Sequence, residues 1–190
     1  MRKEDQKIEQ YIKGIQHTIV VAGFNYEIWL TYKHKKTRKL FLDGEDKYPL
    51  FFQTSLHAHF VALIVALYRL FEPRQDTINF NQLMALIEGE GNFSKTKIGN
   101  LKRRIKNLTL LWKKVCILRN NVFAHASNKA DINQWKKAKI TPNDLKKMIK
   151  RCQALLNDIS HEYNRNSYVF NLSAKSDTLD LLKDLRKISK

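Results

Sequence analysis

The sequence predicts an all-α protein, an irregular bundle of about five helices. Three observations carry that expectation. Only 6 Gly and 3 Pro occur in 190 residues, too little turn chemistry for many short strands. Apolar residues recur three and four positions apart over several long stretches. Asn or Thr stands at the head of two of those stretches, where a helix needs a side-chain oxygen to satisfy its first amides.

Residues 5–32 set Ile8, Tyr11, Ile12, Ile15, Ile19, Tyr26 and Trp29 on one face of a first helix, which runs into the basic YKHKKTRK. LDGEDKYP at 42–49 reads as a loop, and Pro49 suits the first turn of the next helix. Residues 50–71 are apolar almost all round (Phe52, Leu56, Phe60, Leu63, Ile64, Leu67, Phe71) and predict a central buried helix ended by Pro73. A short helix over 79–88 is capped by Asn79 or Asn81 and broken by GEGN. From Ser94 a long helix places Ile98, Leu101, Ile105, Leu108, Trp112, Val115 and Leu118 inward. Thr141, Pro142 and Asp144 then mark a fresh start, with cap, first-turn proline and an anion at the positive end of the helix dipole. Leu145, Met148, Ile149, Cys152, Leu155, Leu156 and Ile159 form its apolar stripe. SYVFNLSAKS at 167–176 is loop or a short extended piece, and 177–188 a small terminal helix. No repeat, low-complexity tract or linker divides the chain, so residues 1–190 read as a single domain, long enough to bury a core.

The N-terminal MRKEDQKIEQ lacks the apolar core of a signal peptide, and the apolar FVALIVALY at 60–68 is too short to span a bilayer. Cys116 and Cys152 fall on apolar helical positions and read as reduced core residues, not a disulfide framework. Together these predict a soluble cytoplasmic protein without membrane association. Charge is uneven. Residues 92–151 carry 17 Lys/Arg against Asp131 and Asp144, a net of +15, whereas residues 40–91 carry 3 against 7 acids, a net of −4. A field so concentrated suits a polyanion, most simply nucleic acid, although solvated helix faces have the same composition. Lys102, Arg103, Arg104, Lys106, Lys113 and Lys114 are the candidates for tracking a phosphate backbone.

Within that segment, CILRNNVFAHASN at 116–128 holds Arg119 and His125. On an unbroken helix, side chains six apart lie about 240° from each other. The two converge only if the helix stops between them or a second subunit supplies one of them. Asn120-Asn121 is a place to stop, since Asn tolerates the left-handed conformation that ends helices; Val122-Phe123-Ala124 would then anchor the following turn in the core. Arg offers a charged planar fork matched to phosphate oxygens, and His can take and return a proton near neutrality. The pair suits attack by a ribose 2′-hydroxyl on the adjacent phosphate, with no metal or cofactor required. A surface arginine and a satisfied loop histidine would look the same at this level.

RNNVFAH resembles the motif of the HEPN superfamily: Arg, a polar residue, then His after four to six intervening positions. IWLTYKH at 28–34, LYRLFEP at 67–73 and ITPNDL at 140–145 are similar to the abortive-infection branch of that superfamily, over roughly residues 20–165. The resemblance implies an all-α bundle in which the Arg closes one core helix and a homodimer brings two motifs into one cleft. It implies that Arg119 binds the scissile phosphate, His125 transfers protons and Asn120 is the polar accessory. Many HEPN members are metal-independent ribonucleases of toxin–antitoxin, phage-defence and CRISPR systems; others are inactive or pair with nucleotidyltransferase antitoxins.

The remaining constellations are weaker. His57 and His59 lie about 200° apart on a helix and cannot chelate one metal from one face, so one should turn inward to a hydrogen bond. GEGN lacks the strand and lysine of a phosphate loop. Arg69 and Glu72 suit an internal ion pair or a reach into the cleft. Residues and resemblance together predict a metal-independent endoribonuclease acting on RNA as a toxin or phage-defence effector; the resemblance alone implies the homodimer, and an antitoxin or second defence subunit is a further expected partner. The rivals of the endoribonuclease are a catalytically silent nucleic-acid-binding module and a helical scaffold for a nucleotidyltransferase or defence subunit.

Overall fold

The computed structural model describes residues 3–91, 93–123 and 134–188, and all regular structure in them is helical. Eight helices are present among these residues: α1 (Lys3–Lys33), α2 (Arg38–Lys47), α3 (Pro49–Arg69), α4 (Phe80–Glu90), α5 (Lys95–Phe123), α6 (Gln134–Ala138), α7 (Pro142–Asn164) and α8 (Ala174–Ile188). The expected count of about five is thus too low. The four longest close a ring, α1 on α3, α3 on α5, α5 on α7 and α7 on α1. Each has an apolar stripe, and the stripes meet in one core: Ile12, Ile15 and Ile19 of α1, Leu63 and Leu67 of α3, Leu108, Val115 and Leu118 of α5, and Met148, Cys152 and Leu155 of α7. α4 lies across α1 and α5, while α2 and α8 pack on each other and on α1.

Local chemistry sets the boundaries. Asn79, the first of the two candidates, caps α4 by accepting from Gln82 N at 3.0 Å. Gly91 ends that helix in the left-handed conformation at φ 70°, which a glycine adopts without steric cost. Ser94 Oγ accepts from Lys97 N at 3.2 Å ahead of α5. Thr141 and Asp144 cap each other's backbone amides at the start of α7, a complete capping box.

Three elements differ from the sequence reading, two as corrections and one, α6, as an addition. The segment 42–49 is mostly helix, not loop. Gly44 there is no turn residue: a Cβ at that position would lie 2.8 Å from two ring carbons of Phe52, so the glycine lets α2 approach α3. Behind it Tyr32, Phe41, Phe52 and Leu182 form a second, smaller core, with the Phe41 and Phe52 rings edge to face at 5.5 Å. Second, the short α6 has too few residues to show a period; Trp135 holds it by stacking on Trp29 at 5.7 Å and packing on Phe60 at 5.6 Å. Third, α3 is buried only in part. Its inner face carries Phe52, Leu63, Ile64, Ala66 and Leu67, but Leu50 and Phe51 are 80% and 60% exposed. At 21 residues α3 is long and apolar enough to cross a membrane by length and composition alone, with 28% of its most apolar window buried.

Candidate functional site

Trp112, Cys116 and Arg119 recur at four and three residues and so share one stripe of α5, on the side facing the end of α3. Trp112 Nε1 donates to the carbonyl oxygen of Tyr68 at 2.9 Å, satisfying an indole N–H that would otherwise be left half-buried and unpaired. The Tyr68 and Trp112 rings stack at 5.7 Å with an interplanar angle of 26°. The guanidinium carbon of Arg119 then sits 4.6 Å from the Tyr68 ring centroid, a cation–π contact, and Arg119 Nη1 donates to Asn120 Oδ1 at 3.3 Å. Arg119 is half-buried and Asn120 exposed. One turn back, burial pushes the Cys116 thiol up, partly opposed by the Arg119 charge. The result is a permanently charged fork supported by an aromatic pair at the end of a core helix, a setting suited to receiving a phosphate.

α5 does not stop at Asn120-Asn121. It continues helical through Phe123. Neither Asn takes the left-handed conformation: among the described residues, positive φ outside glycine is confined to Lys139 and Arg165. The expected anchoring by Val122-Phe123-Ala124 rests on side chains that are not described, and Ala124 and His125 lie outside the described residues. Of the predicted catalytic set, the structure brings Arg119 and Asn120 together.

The six cations proposed for the phosphate backbone do not form one surface. At 100° per residue, Lys102, Lys106 and Lys113 fall within roughly 40° of one another, with Arg103 and Lys114 about 100–120° round from Lys102. Arg119 lies about 100° to the other side. Lys102 Nζ pairs with Glu88 of α4 at 2.5 Å, Arg103 Nη2 donates to Asn100 at 2.8 Å, and Lys114 Nζ donates to the Lys139 carbonyl at 2.7 Å. Arg104 is turned to α7 and paired with Asp158. Lys106 and Lys113 are exposed, with Leu110, 62% exposed, between them on the same face.

The other sequence candidates resolve simply. His57 is exposed, whereas His59 Nδ1 meets Asn25 Oδ1 at 2.8 Å, and burial lowers the His59 pKa. Both cysteines are free, and complete burial pushes the Cys152 thiol far up. Arg69 is exposed and forms no ion pair with Glu72. Sequence reasoning missed Tyr68, and it read Trp112 as core alone. No local pattern joins residues 68, 112 and 119; only the packing of α3 on α5 does.

No curated protein and no solved structure matches the chain. One family model does, HEPN_AbiU2, described as AbiU2, and it matches residues 5–183. That span takes in nearly all of the four ring helices and the positions of Arg119 and His125, and it is wider than the roughly 20–165 over which the resemblance extends. The chain belongs to the HEPN_AbiU2 family, an abortive-infection family of the HEPN superfamily.

Proposed function

We propose that this protein is a metal-independent endoribonuclease of HEPN type, a cytoplasmic effector of abortive infection. The observation that carries the reading is Arg119, laid on Tyr68 at the end of a core helix, in a chain of this family whose sequence holds Arg119 and His125 six residues apart. In the reaction, the 2′-oxygen of a ribose bonds to the adjacent phosphorus as the bond to the 5′-oxygen breaks. His125 takes the 2′-hydroxyl proton, and a proton passes to the departing 5′-oxygen. The products end in a 2′,3′-cyclic phosphate and a 5′-hydroxyl. Arg119 neutralises the non-bridging oxygens as charge builds on them, and the Asn120 carboxamide steadies its fork.

A homodimer would supply a second motif to the same cleft. Exposed Leu50 and Phe51 on α3 and Leu110 on α5 are apolar surface that a second copy can cover. Lys106 and Lys113, with Lys102 where RNA displaces its Glu88 partner, would hold RNA through its phosphates, so binding should weaken steeply with salt. An antitoxin or second defence subunit would restrain the activity.

A catalytically silent RNA-binding module is the second reading, favoured by the turn of the Lys102–Lys106–Lys113 face away from Arg119. Replacing His125 by alanine separates the two. The nuclease reading expects cutting to disappear while RNA retention on a filter stays within about threefold, a change below 1 kcal/mol. Cutting that survives His125→Ala, or its absence in wild type with binding intact, rejects it.

A further inference from the structure

A cavity of about 650 Å3 opens between α1, α7, the segment 166–173 and α8. None of its lining residues belongs to α3 or α5, so it is separate from Arg119. Its volume is that of a small-molecule site. The floor is apolar, with Val20 and Phe24 from α1, Ile149 from α7 and Phe170 from the segment above. The rim is cationic: Lys36, Lys146, Lys150 and Lys175 line it. None of these four ammonium groups meets a carboxylate among the described residues, unlike Lys97, Lys102, Lys183 and Lys187, which each have one. The one acidic lining residue, Glu27, is already engaged, accepting from Ser173 Oγ and Ala174 N at 2.8 Å each.

Two further features say the space is held open rather than left over. Asn157 grips the backbone of Tyr168 from both sides, accepting from its N–H at 2.9 Å and donating to its carbonyl at 3.0 Å. With the Glu27 contacts this fixes both ends of the covering segment, whose Val169 and Leu172 nevertheless remain 75% and 73% exposed at the cavity. Second, Gly23 lines the cavity in the middle of α1, where glycine costs about 1 kcal/mol relative to alanine. Close packing would explain it, but a Cβ there would meet nothing within 4 Å. Gly89 and Gly99 have similar room but lie near the ends of their helices, where the cost is smaller.

We propose that this cavity binds a small amphiphilic anion, its apolar body on Val20, Gly23, Phe24 and Phe170 and its carboxylate, sulfonate or phosphate head among the four lysines. The test uses the full chain and 8-anilinonaphthalene-1-sulfonate, followed by fluorescence and calorimetry. Saturable binding of one probe per chain is expected, at least tenfold tighter than that of the uncharged N-phenyl-1-naphthylamine. Lys146→Gln with Lys150→Gln should weaken the sulfonate roughly fivefold or more and leave the neutral probe unchanged. Gly23→Leu should abolish binding with the melting temperature kept or raised, since leucine favours a helix interior over glycine. Decanoate should displace the probe and decanol should not. Undiminished binding to a folded Gly23→Leu chain overturns the proposal, as does equal displacement by decanol. Displacement by anionic phospholipid vesicles but not by decanoate also overturns it, assigning the lysines to a membrane surface.

Discussion

The contact between Arg119 and Tyr68 supports the functional reading, and a double-mutant cycle measures it without reference to any activity. Tyr68→Leu removes the ring and keeps apolar bulk; Arg119→Met removes the charge and keeps an unbranched stem. Such contacts are worth ~0.5–1 kcal/mol when exposed and ~2 when dry. The guanidinium lies 4.6 Å from the ring centroid and Arg119 is half-buried. The coupling should therefore be about 1 kcal/mol. Loss of the Tyr68–Trp112 stack occurs in both arms of the cycle and cancels. Urea unfolding followed by circular dichroism, at constant dependence on denaturant, gives the four stabilities. In a chain of this size each 1 kcal/mol also moves the melting temperature by roughly 2–4 °C. Tyr68→Phe should retain the coupling, because the ring and not the hydroxyl makes the contact. A coupling below about 0.3 kcal/mol, the range of plain additivity, would mean that the ring does not hold Arg119 and that the site is not preorganised as described.

Other perturbations test the scaffold. Gly44→Ala forces a methyl against the buried Phe52 ring; overpacking of ~1–3 kcal/mol outweighs the gain of about 1 in helix preference, so the melting temperature should fall by a few degrees. An unchanged or higher value would show that α2 can move off α3 at little cost. Thr141→Ala should cost about 1 kcal/mol at neutral pH by removing a cap of α7. The hydroxyl and then the backbone amide of Thr141 hold the Asp144 carboxyl below its usual range. That stabilisation is present above the unfolded value near pH ~3.9 and is lost as pH falls through the depressed folded value. The gap between wild type and Thr141→Ala in chemical denaturation should accordingly narrow below about pH 4 and be flat above it. A gap that widens with acid would contradict the capping box.

What the sequence told and what it hid divide along physical lines. The stripes of α1, α5 and α7 were legible because each runs several turns with an unbroken spacing of three and four. Caps were legible for the same reason: Asn79 and Thr141 act within three residues of themselves, as does Ser94, which the sequence marked only as a helix start. α2 was not, because Gly44 and the acidic LDGED carry the composition of a turn, and only the approach of Phe52 explains the glycine. α6 was not, because five residues hold no period and Trp135 is fixed by partners more than seventy residues away. The burial of α3 was overestimated because an apolar composition says nothing of how many faces find neighbours. For the site, it was the resemblance to the HEPN motif that named Arg119 and Asn120; an Arg and a His six apart say little by spacing alone. The ring beneath Arg119 is a tertiary fact, as are the carboxylates that already occupy Lys102 and Arg104.

The central claim is cleavage by a neighbouring 2′-hydroxyl, carried by Arg119 and His125. Its most direct test is a synthetic RNA spanning a cut mapped on end-labelled total or transfer RNA, incubated with the protein in EDTA. The same strand is then compared with a single 2′-deoxy sugar at the scissile position. The account predicts that the all-ribose strand is cut to a 2′,3′-cyclic phosphate and a 5′-hydroxyl, and that the substituted strand stays whole. Equal cutting of both strands, or no cutting of either while RNA is bound, would contradict it.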